Sequence, residues 1–200
     1  MPKITNYKDF ENYWNKFLNL CDIKIYTQNS IIEISEKEKS GKGEIYLEFS
    51  NLDDKKFVVE ILTSPKNNSC CIKRPKNCDG ILMYIDLINE KVKIYLIELK
   101  TTLTNKIEEA NEQIRNAYWF ISSLNLFQCF KLTFEVILAY KNFNKTNLLT
   151  MTKDVLKNEF KYKLYSYVLN DTYKFPIMLP FCKYIELKLE LMKFSEKKII

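Results

Sequence analysis

Two apolar runs separated by only two residues constrain the fold of this chain more than any other feature. Residues 80–88 have the sequence GILMYIDLI and residues 91–99 have KVKIYLIEL, with Asn89 and Glu90 between them. Short runs rich in β-branched and aromatic residues predict strands. A two-residue connection predicts that the two strands pair as an antiparallel hairpin.

The predicted hairpin brings charged side chains together at one end of an apolar face. If Asn89 and Glu90 form the whole loop, Ile88 pairs with Lys91 and Asp79 lies opposite Lys100. Because alternate residues of a strand share a face, Asp79, Glu98 and Lys100 then lie on one face. The remaining residues of that face are apolar: Ile81, Met83, Ile85, Leu87, Val92, Ile94 and Leu96. We therefore expect a charged cluster at the edge of the core.

The charge pattern alone allows two interpretations of this cluster. Two carboxylates that converge at the edge of an apolar face repel each other and lose hydration, so they need a cation. The Lys100 ammonium neutralises one of them, which would make the cluster a structural ion pair. A hard divalent ion such as Mg²⁺ would neutralise both, because it binds oxygen ligands and needs only one or two protein carboxylates.

Hydrophobic periodicity predicts the elements around the hairpin. Apolar residues at helical spacing predict helices over residues 7–20 and 105–122, the second with Asn105 as its N-cap. Residues 45–52 suit either a helix or a strand. Alternating or β-branched residues predict the remaining strands, at residues 56–63, 132–140 and 185–191, and a short hairpin over residues 22–34.

The composition excludes several kinds of chemistry. The chain has no histidine, which excludes Ser-His-Asp and Cys-His catalysis and every histidine metal site. Its six cysteines are expected to be reduced thiols, and the Cys70, Cys71 and Cys78 group lacks the further ligands of a zinc site. Any catalysis must therefore use carboxylates, lysine, tyrosine or cysteine.

Length, charge and the N-terminus set further expectations. The 200 residues, 46% of them hydrophobic, predict a single folded domain. A net charge of +6 favours a polyanionic partner only weakly. No apolar run approaches the roughly 18 residues of a membrane span, and the N-terminus lacks the pattern of a signal peptide. We expect a soluble, cytoplasmic protein.

Asp79-Gly80, the apolar strand after it and Glu98-Leu99-Lys100 together resemble the signature of the PD-(D/E)xK nuclease superfamily, which has the restriction-endonuclease-like fold. Gln113 and Tyr118 are similar to the Gln-and-Tyr helix of the exonuclease branch of that superfamily. The resemblance implies an α/β fold in which an αβββαβ core with a mixed central sheet spans about residues 40–140. Residues 1–39, a helix and hairpin, and residues 141–200 would extend this core within one domain, 1–200.

The resemblance also implies roles for individual residues. Asp79 and Glu98, with the main-chain carbonyl of Leu99, would hold Mg²⁺ or Mn²⁺ against the scissile phosphate. Lys100 would orient or deprotonate the attacking water and offset charge that develops on the phosphate. A glutamate of the first helix often assists in this family, and Glu44 is the candidate, with a solvated acidic residue as the alternative.

Further residues of the implied site lie on the following helix and the preceding loop. Gln113 could reach the site from α-helical residues 105–122, or be an ordinary helix residue. Lys73, Arg74 and Lys76 precede Asp79 and could bind phosphates, or be solvated. Such a nuclease would act on nucleic acid, with DNA preferred over RNA because most of the superfamily cuts DNA; whether the chain forms a homodimer is left open.

Two other functions remain open at this stage. The chain could keep the nuclease fold without its chemistry and bind nucleic acid or a protein partner. It could also be an unrelated α+β interaction domain whose hairpin carries an ion pair. Asp79, Glu98 and Lys100 together argue against the first of these, since a lapsed site would be free to lose its charges.

Overall fold

A computed structural model of the chain describes residues 4–18, 22–36, 43–62, 78–102, 107–123, 130–142, 185–193 and 195–200. These residues form a mixed α/β structure in which strands predominate. The helices are α1 (Tyr7–Tyr13), continued by a π-helical turn at Trp14–Leu18, and α2 (Ile107–Ser123). The strands are β1 (Asp22–Tyr26), β2 (Ser30–Ser35), β3 (Glu44–Phe49), β4 (Lys56–Leu62), β5 (Gly80–Asp86), β6 (Lys91–Thr102), β7 (Lys131–Asn142), β8 (Ile185–Lys193) and β9 (Lys197–Ile199).

Six of these strands form one mixed sheet, in the order β1-β4-β5-β6-β7-β8. The pairs β1-β4, β4-β5 and β5-β6 are antiparallel, whereas β6, β7 and β8 run parallel to one another. A parallel pair needs a crossover connection, and α2 lies between β6 and β7 in the chain. The charged end of β6 therefore leads directly into the connection that carries α2.

The other three strands form a second sheet, in the order β2-β3-β9. β2 and β3 are antiparallel, and β9 pairs parallel to β3. This sheet packs on one face of the six-stranded sheet through Ile45, Leu47 and Phe49 of β3, which are all buried. Gly80 lies at this contact, because a Cβ atom there would be 2.9 Å from Cγ2 of Ile34.

The two described helices pack on the opposite face, which we call the helix face. α1 begins after Asn6, whose side chain accepts hydrogen bonds from the backbone N–H groups of Lys8 and Asp9 and so caps the helix. Phe10 of α1 and Ile114 of α2 are buried in the same core cluster. That cluster also contains the alternate residues of β5 and β6 that the sequence places on one face: Ile81, Met83, Ile85, Val92, Ile94 and Leu96.

The structure confirms most of the predicted elements, corrects one and decides one that was left open. The strands predicted at 56–63, 132–140 and 185–191 and the helices at 7–20 and 105–122 are present in the described residues. The predicted hairpin over 22–34 is wrong, because β1 pairs with β4 and β2 pairs with β3. Residues 45–49, which suited either element, lie in strand β3.

Strands from both predicted extensions pair with strands of the predicted core. β1 forms the edge of the six-stranded sheet beside β4, and β8 continues that sheet beyond β7. No helix in the described parts of the chain is long and apolar enough to cross a membrane.

Candidate functional site

The hairpin that carries the charged residues has a loop of four residues rather than two. Asp86 pairs with Lys91, so every cross-strand pair is shifted by two residues from the predicted register. The side chain of Asp86 accepts hydrogen bonds of 3.0 Å from the backbone N–H groups of Ile88 and Asn89, which stabilises the wider loop. A two-residue type I′ turn needs positive φ at both loop positions, and of the two predicted loop residues only Glu90 has it.

A shift of two residues keeps each side chain on its predicted face. Glu98 and Lys100 of β6 therefore lie on the helix face, as the sequence predicted. Asp79 directly precedes β5 and lies close to both, and we call the three residues the carboxylate–lysine cluster. The last β5–β6 pair is Gly80 with Ile97. Continuing that register by one residue places Asp79 level with Glu98 instead of Lys100, which corrects the predicted pairing.

A side-chain hydrogen bond fixes Asp79 against β6. Oδ2 of Asp79 accepts a hydrogen bond of 2.8 Å from the backbone N–H of Leu99. Leu99 lies between Glu98 and Lys100, so this bond holds Asp79 beside both of the other cluster residues. The residue before Asp79, Cys78, is buried, and its Sγ donates to the backbone carbonyl of Gly80.

Glu98 is the most unusual group of the cluster. Its side chain is 0% exposed, and both of its carboxylate oxygens are buried. Burial, and then the nearby charge of Asp79, raise the pKa of Glu98 to about 8, although the Lys100 ammonium acts in the opposite direction. A buried carboxylate of this kind needs positive charge for stable ionisation.

Lys100 provides part of that charge. Its Nζ lies 2.8 Å from Oε1 of Glu98, and the Lys100 side chain is only 2% exposed. The same Nζ lies 3.5 Å from Oε1 of Glu109, a residue of α2 that the sequence did not single out. Glu109 could have been found from the sequence because it lies four residues before Gln113, which places both residues on one side of the helix.

Gln113 and Tyr118 are both buried on α2. Oε1 of Gln113, one helical turn beyond Glu109, has no hydrogen-bond partner among the described residues. Tyr118 packs against Phe134, with ring centroids 4.9 Å apart, and belongs to the core of the helix face.

The structure does not bring Glu44 to the cluster. Glu44 lies in β3 rather than on a first helix, and it alternates with the buried residues Ile45 and Leu47. Its side chain therefore faces away from the six-stranded sheet, where it accepts a hydrogen bond of 2.7 Å from the hydroxyl of Tyr46. The cluster lies on the helix face, on the other side of that sheet. The placement expected for Glu44 was wrong because residues 44–49 form a strand. Lys73, Arg74 and Lys76 lie outside the described residues.

The carboxylate oxygens of the cluster suit a hard divalent cation as ligands. Such an ion prefers oxygen ligands and commonly uses one or two carboxylates. Glu98 offers two buried carboxylate oxygens, one of which lies 2.8 Å from the Lys100 ammonium, and Asp79 supplies a second carboxylate close enough to raise the pKa of Glu98. A cation there would remove the repulsion between the two carboxylates and the cost of burying Glu98 in its ionised form.

No protein-family model matches the chain, and no curated protein or solved structure matches it.

Proposed function

We propose that the chain is a metal-dependent nuclease that hydrolyses phosphodiester bonds, with DNA as the preferred substrate. The observation that carries this proposal is the fully buried Glu98 carboxylate, which lies beside Asp79 and 2.8 Å from the Lys100 ammonium. Two carboxylates and a lysine in this arrangement suit the binding of Mg²⁺ or Mn²⁺ and the activation of a water molecule.

The order of elements around the cluster supports a restriction-endonuclease-like core. β4, β5 and β6 form an antiparallel meander, α2 follows, and β7 pairs parallel to β6. This is the βββαβ part of the αβββαβ order. Under this proposal α1 supplies the first helix, and β1, β2 and β3 are inserted between that helix and the meander.

Each cluster residue has a distinct role in the proposed reaction. Asp79, Glu98 and the main-chain carbonyl of Leu99 would hold the ion, which when bound polarises the phosphate and acidifies water. Lys100 would orient the attacking water and offset negative charge on the phosphate in the transition state. Lys100 lies on the same face as Glu98, and its ammonium is 2.8 Å from this proposed metal ligand. It is therefore close enough to contact both the water and the phosphate at the ion.

Phosphate contacts would come from Lys73, Arg74 and Lys76, which precede Asp79 in the sequence. Each phosphate that a cation neutralises adds to the salt dependence of binding. Gln113, whose buried Oε1 has no hydrogen-bond partner in the described part of the chain, would act at the helix side of the cluster.

One observation favours a second candidate, in which the fold binds nucleic acid or a protein without cleavage. Asp79 already accepts the Leu99 N–H, and Lys100 already pairs with Glu98, so both contacts can be explained by stability alone. Activity is the measurement that separates the two candidates.

The test is a cleavage assay with Mg²⁺ or Mn²⁺ on linear, branched and single-stranded DNA and on RNA. Lys100→Ala should cleave at least about a hundredfold more slowly than the wild type, the scale expected for loss of one proton-transfer or charge-stabilising group. Lys91→Ala is the matched control, because Lys91 is an exposed lysine at the other end of β6. It should cleave at the wild-type rate.

Cleavage by Lys100→Ala at the wild-type rate would exclude the proposed site. No cleavage by the wild type on any substrate, together with retained binding of nucleic acid, would favour the second candidate.

A further inference from the structure

The Lys100 ammonium lies between two carboxylates from different elements. Oε1 of Glu98 on β6 is 2.8 Å from Nζ, and Oε1 of Glu109 on α2 is 3.5 Å from it. The two carboxylates differ in their access to solvent, since the Glu98 side chain is 0% exposed and that of Glu109 is 25% exposed. A small movement of Nζ would therefore bring it closer to the Glu109 carboxylate than to that of Glu98.

A divalent cation at Glu98 changes what Lys100 requires. The cation would occupy the carboxylate oxygens that now face the ammonium, and the two positive charges would then repel each other. Lys100 is almost fully buried, so water cannot easily replace its ion pair. Another carboxylate within reach would remove this conflict.

The formal charges lead to the same conclusion. Ionised Asp79 and Glu98 with the Lys100 ammonium leave one negative charge, so a divalent cation would leave the group with an excess positive charge. Adding the Glu109 carboxylate, which contacts the same ammonium, makes the group neutral when the cation is bound. Buried charges are tolerated when they are balanced in this way.

We propose that Glu109 is a positioning residue that takes over the Lys100 ammonium from Glu98 when a divalent cation binds the carboxylate–lysine cluster. This inference rests on the proposed function, because it requires a cation site at Asp79 and Glu98. Ion pairing with Glu109 draws Lys100 away from the ligand oxygens while the ammonium stays on the helix face, where the substrate phosphate would lie.

Neighbouring groups are less suited to this role. Gln113 is neutral, so it cannot balance the ammonium. Asp79 is a proposed ligand of the same cation and already accepts the Leu99 N–H. Glu109 lies next to Ala110, which is fully buried in the core of the helix face, so packing of α2 fixes its backbone beside Lys100.

The test measures Mn²⁺ binding to the full chain, without substrate, from the electron paramagnetic resonance signal of free Mn²⁺. Glu109→Gln should weaken Mn²⁺ binding about tenfold, a coupling typical of residues in direct contact. Glu109→Asp keeps the charge and should stay within about threefold of the wild type. Glu112→Gln, the same change at an exposed position of α2, should have no effect.

A double-mutant cycle with Lys100→Met separates positioning from a direct effect on the ion. If Glu109 acts through Lys100, Glu109→Gln should weaken binding less than about threefold once Lys100 is replaced. Lys100→Gln serves the same purpose if thermal melting shows that Lys100→Met is not folded. An equal loss in both backgrounds would mean that Glu109 acts on the cation directly, which would overturn the inference.

The remaining outcomes distinguish this inference from the proposed function. Wild-type affinity for Mn²⁺ in Glu109→Gln would overturn the role of Glu109 and leave the proposed function intact. A wild-type protein that binds no Mn²⁺ would overturn the proposed cation site, and the inference with it.

Discussion

The carboxylate of Asp79 accepts a hydrogen bond of 2.8 Å from the backbone N–H of Leu99. β5 begins only at Gly80, where the ladder pairs it with Ile97, so the Asp79 side chain serves a backbone donor further along β6. Leu99 separates Glu98 from Lys100, and the bond therefore fixes the segment that carries both. Asp79 has a structural task as well as its proposed role as a ligand.

Two substitutions of Asp79 should separate these tasks. Asp79→Asn keeps an oxygen that can accept the Leu99 N–H, whereas Asp79→Ala leaves that donor without an acceptor and should cost about 1–3 kcal/mol of unfolding free energy. Mn²⁺ should stabilise the wild type but neither variant, because both variants lack the ligand charge. Urea unfolding with and without Mn²⁺ measures both effects. Equal Mn²⁺ stabilisation of the wild type and Asp79→Asn would show that the ion binds elsewhere.

The stability of the metal-free protein should depend on pH through Glu98. The pKa of Glu98 is raised from 4.5 to about 8 in the folded state, first by burial and then by Asp79. Between these values the folded state holds a proton that the unfolded state releases, so stability falls as pH rises through this window. Glu98→Gln imitates the protonated form and cannot ionise.

We therefore expect Glu98→Gln to match the wild type near about pH 5 and to be the more stable protein near about pH 9. Urea midpoints at the two pH values, without divalent ions, provide the measurement. Glu112→Gln, at an exposed position of α2, controls for general effects of removing a carboxylate. Parallel pH profiles for Glu98→Gln and the wild type would argue against a raised pKa.

Gly80 should be required for the packing of the second sheet. A Cβ atom at residue 80 would lie 2.9 Å from Cγ2 and 3.0 Å from Cδ1 of Ile34. Gly80→Ala should therefore lower the unfolding free energy by about 1–3 kcal/mol, as overpacking does in other cores. In an Ile34→Ala background the clashing atoms are absent, and the same substitution should cost much less. A cost that is unchanged in that background would show that the loss has another cause.

An ion cluster should anchor β9 to the six-stranded sheet. Lys198 contacts Oε1 of Glu135 on β7 and Glu190 of β8, and Nζ of Lys93 lies 2.7 Å from Oε2 of Glu135. Burial acts against the charged ammonium, but the hydrogen bonds to both carboxylates raise the pKa of Lys198 overall. Together these contacts connect the second sheet to the first.

Lys198→Met should therefore cost about 1–3 kcal/mol of unfolding free energy, because Glu135 is almost fully buried and loses one of the cations that contact it. Lys197→Met is the matched control: the Lys197 side chain is 45% exposed and pairs with Glu48 at the surface, so we expect a change of less than about 1 kcal/mol. Chemical denaturation measures both variants. Equal losses would show that β9 is not held by the buried ion cluster.

The sequence predicted the faces of the hairpin but not its register. Side chains alternate along a strand whatever the loop, so Glu98 and Lys100 could be placed on the face of Ile94 and Leu96 from their numbers alone. The register depended on the side chain of Asp86, which stabilises a four-residue loop, and this contact leaves no periodic signal.

The second sheet was not predictable for a different reason. β1 and β2 are neighbours in sequence but belong to different sheets, and their partners are fixed by packing of the two layers. β9 has only three residues, too few for a pattern. The placement of Glu44 in the site was wrong because it assumed a helix. The spacing of residues 45–52 suited a helix as well as a strand, and residues 44–49 form a strand.

Within the candidate site, the residues on the hairpin were predictable and those on α2 only in part. Asp79, Glu98 and Lys100 were marked by charges that interrupt an apolar face. Gln113 was identified from its resemblance to a family helix. Glu109 was not identified, because its contact with Lys100 depends on how α2 crosses β6, which the spacing of α2 does not specify.

A crystal soaked in Mn²⁺ would show whether the carboxylate–lysine cluster binds a divalent ion. We expect an anomalous density peak between the carboxylates of Asp79 and Glu98, at ligand distances of about 2.1 Å, as is usual for small divalent ions. A matched soak of Glu98→Gln should lose the peak, since the variant lacks the charge that a hard cation needs. A wild-type crystal with Mn²⁺ bound at other residues, or with the Lys100–Glu98 ion pair unchanged and no peak beside it, would contradict the account.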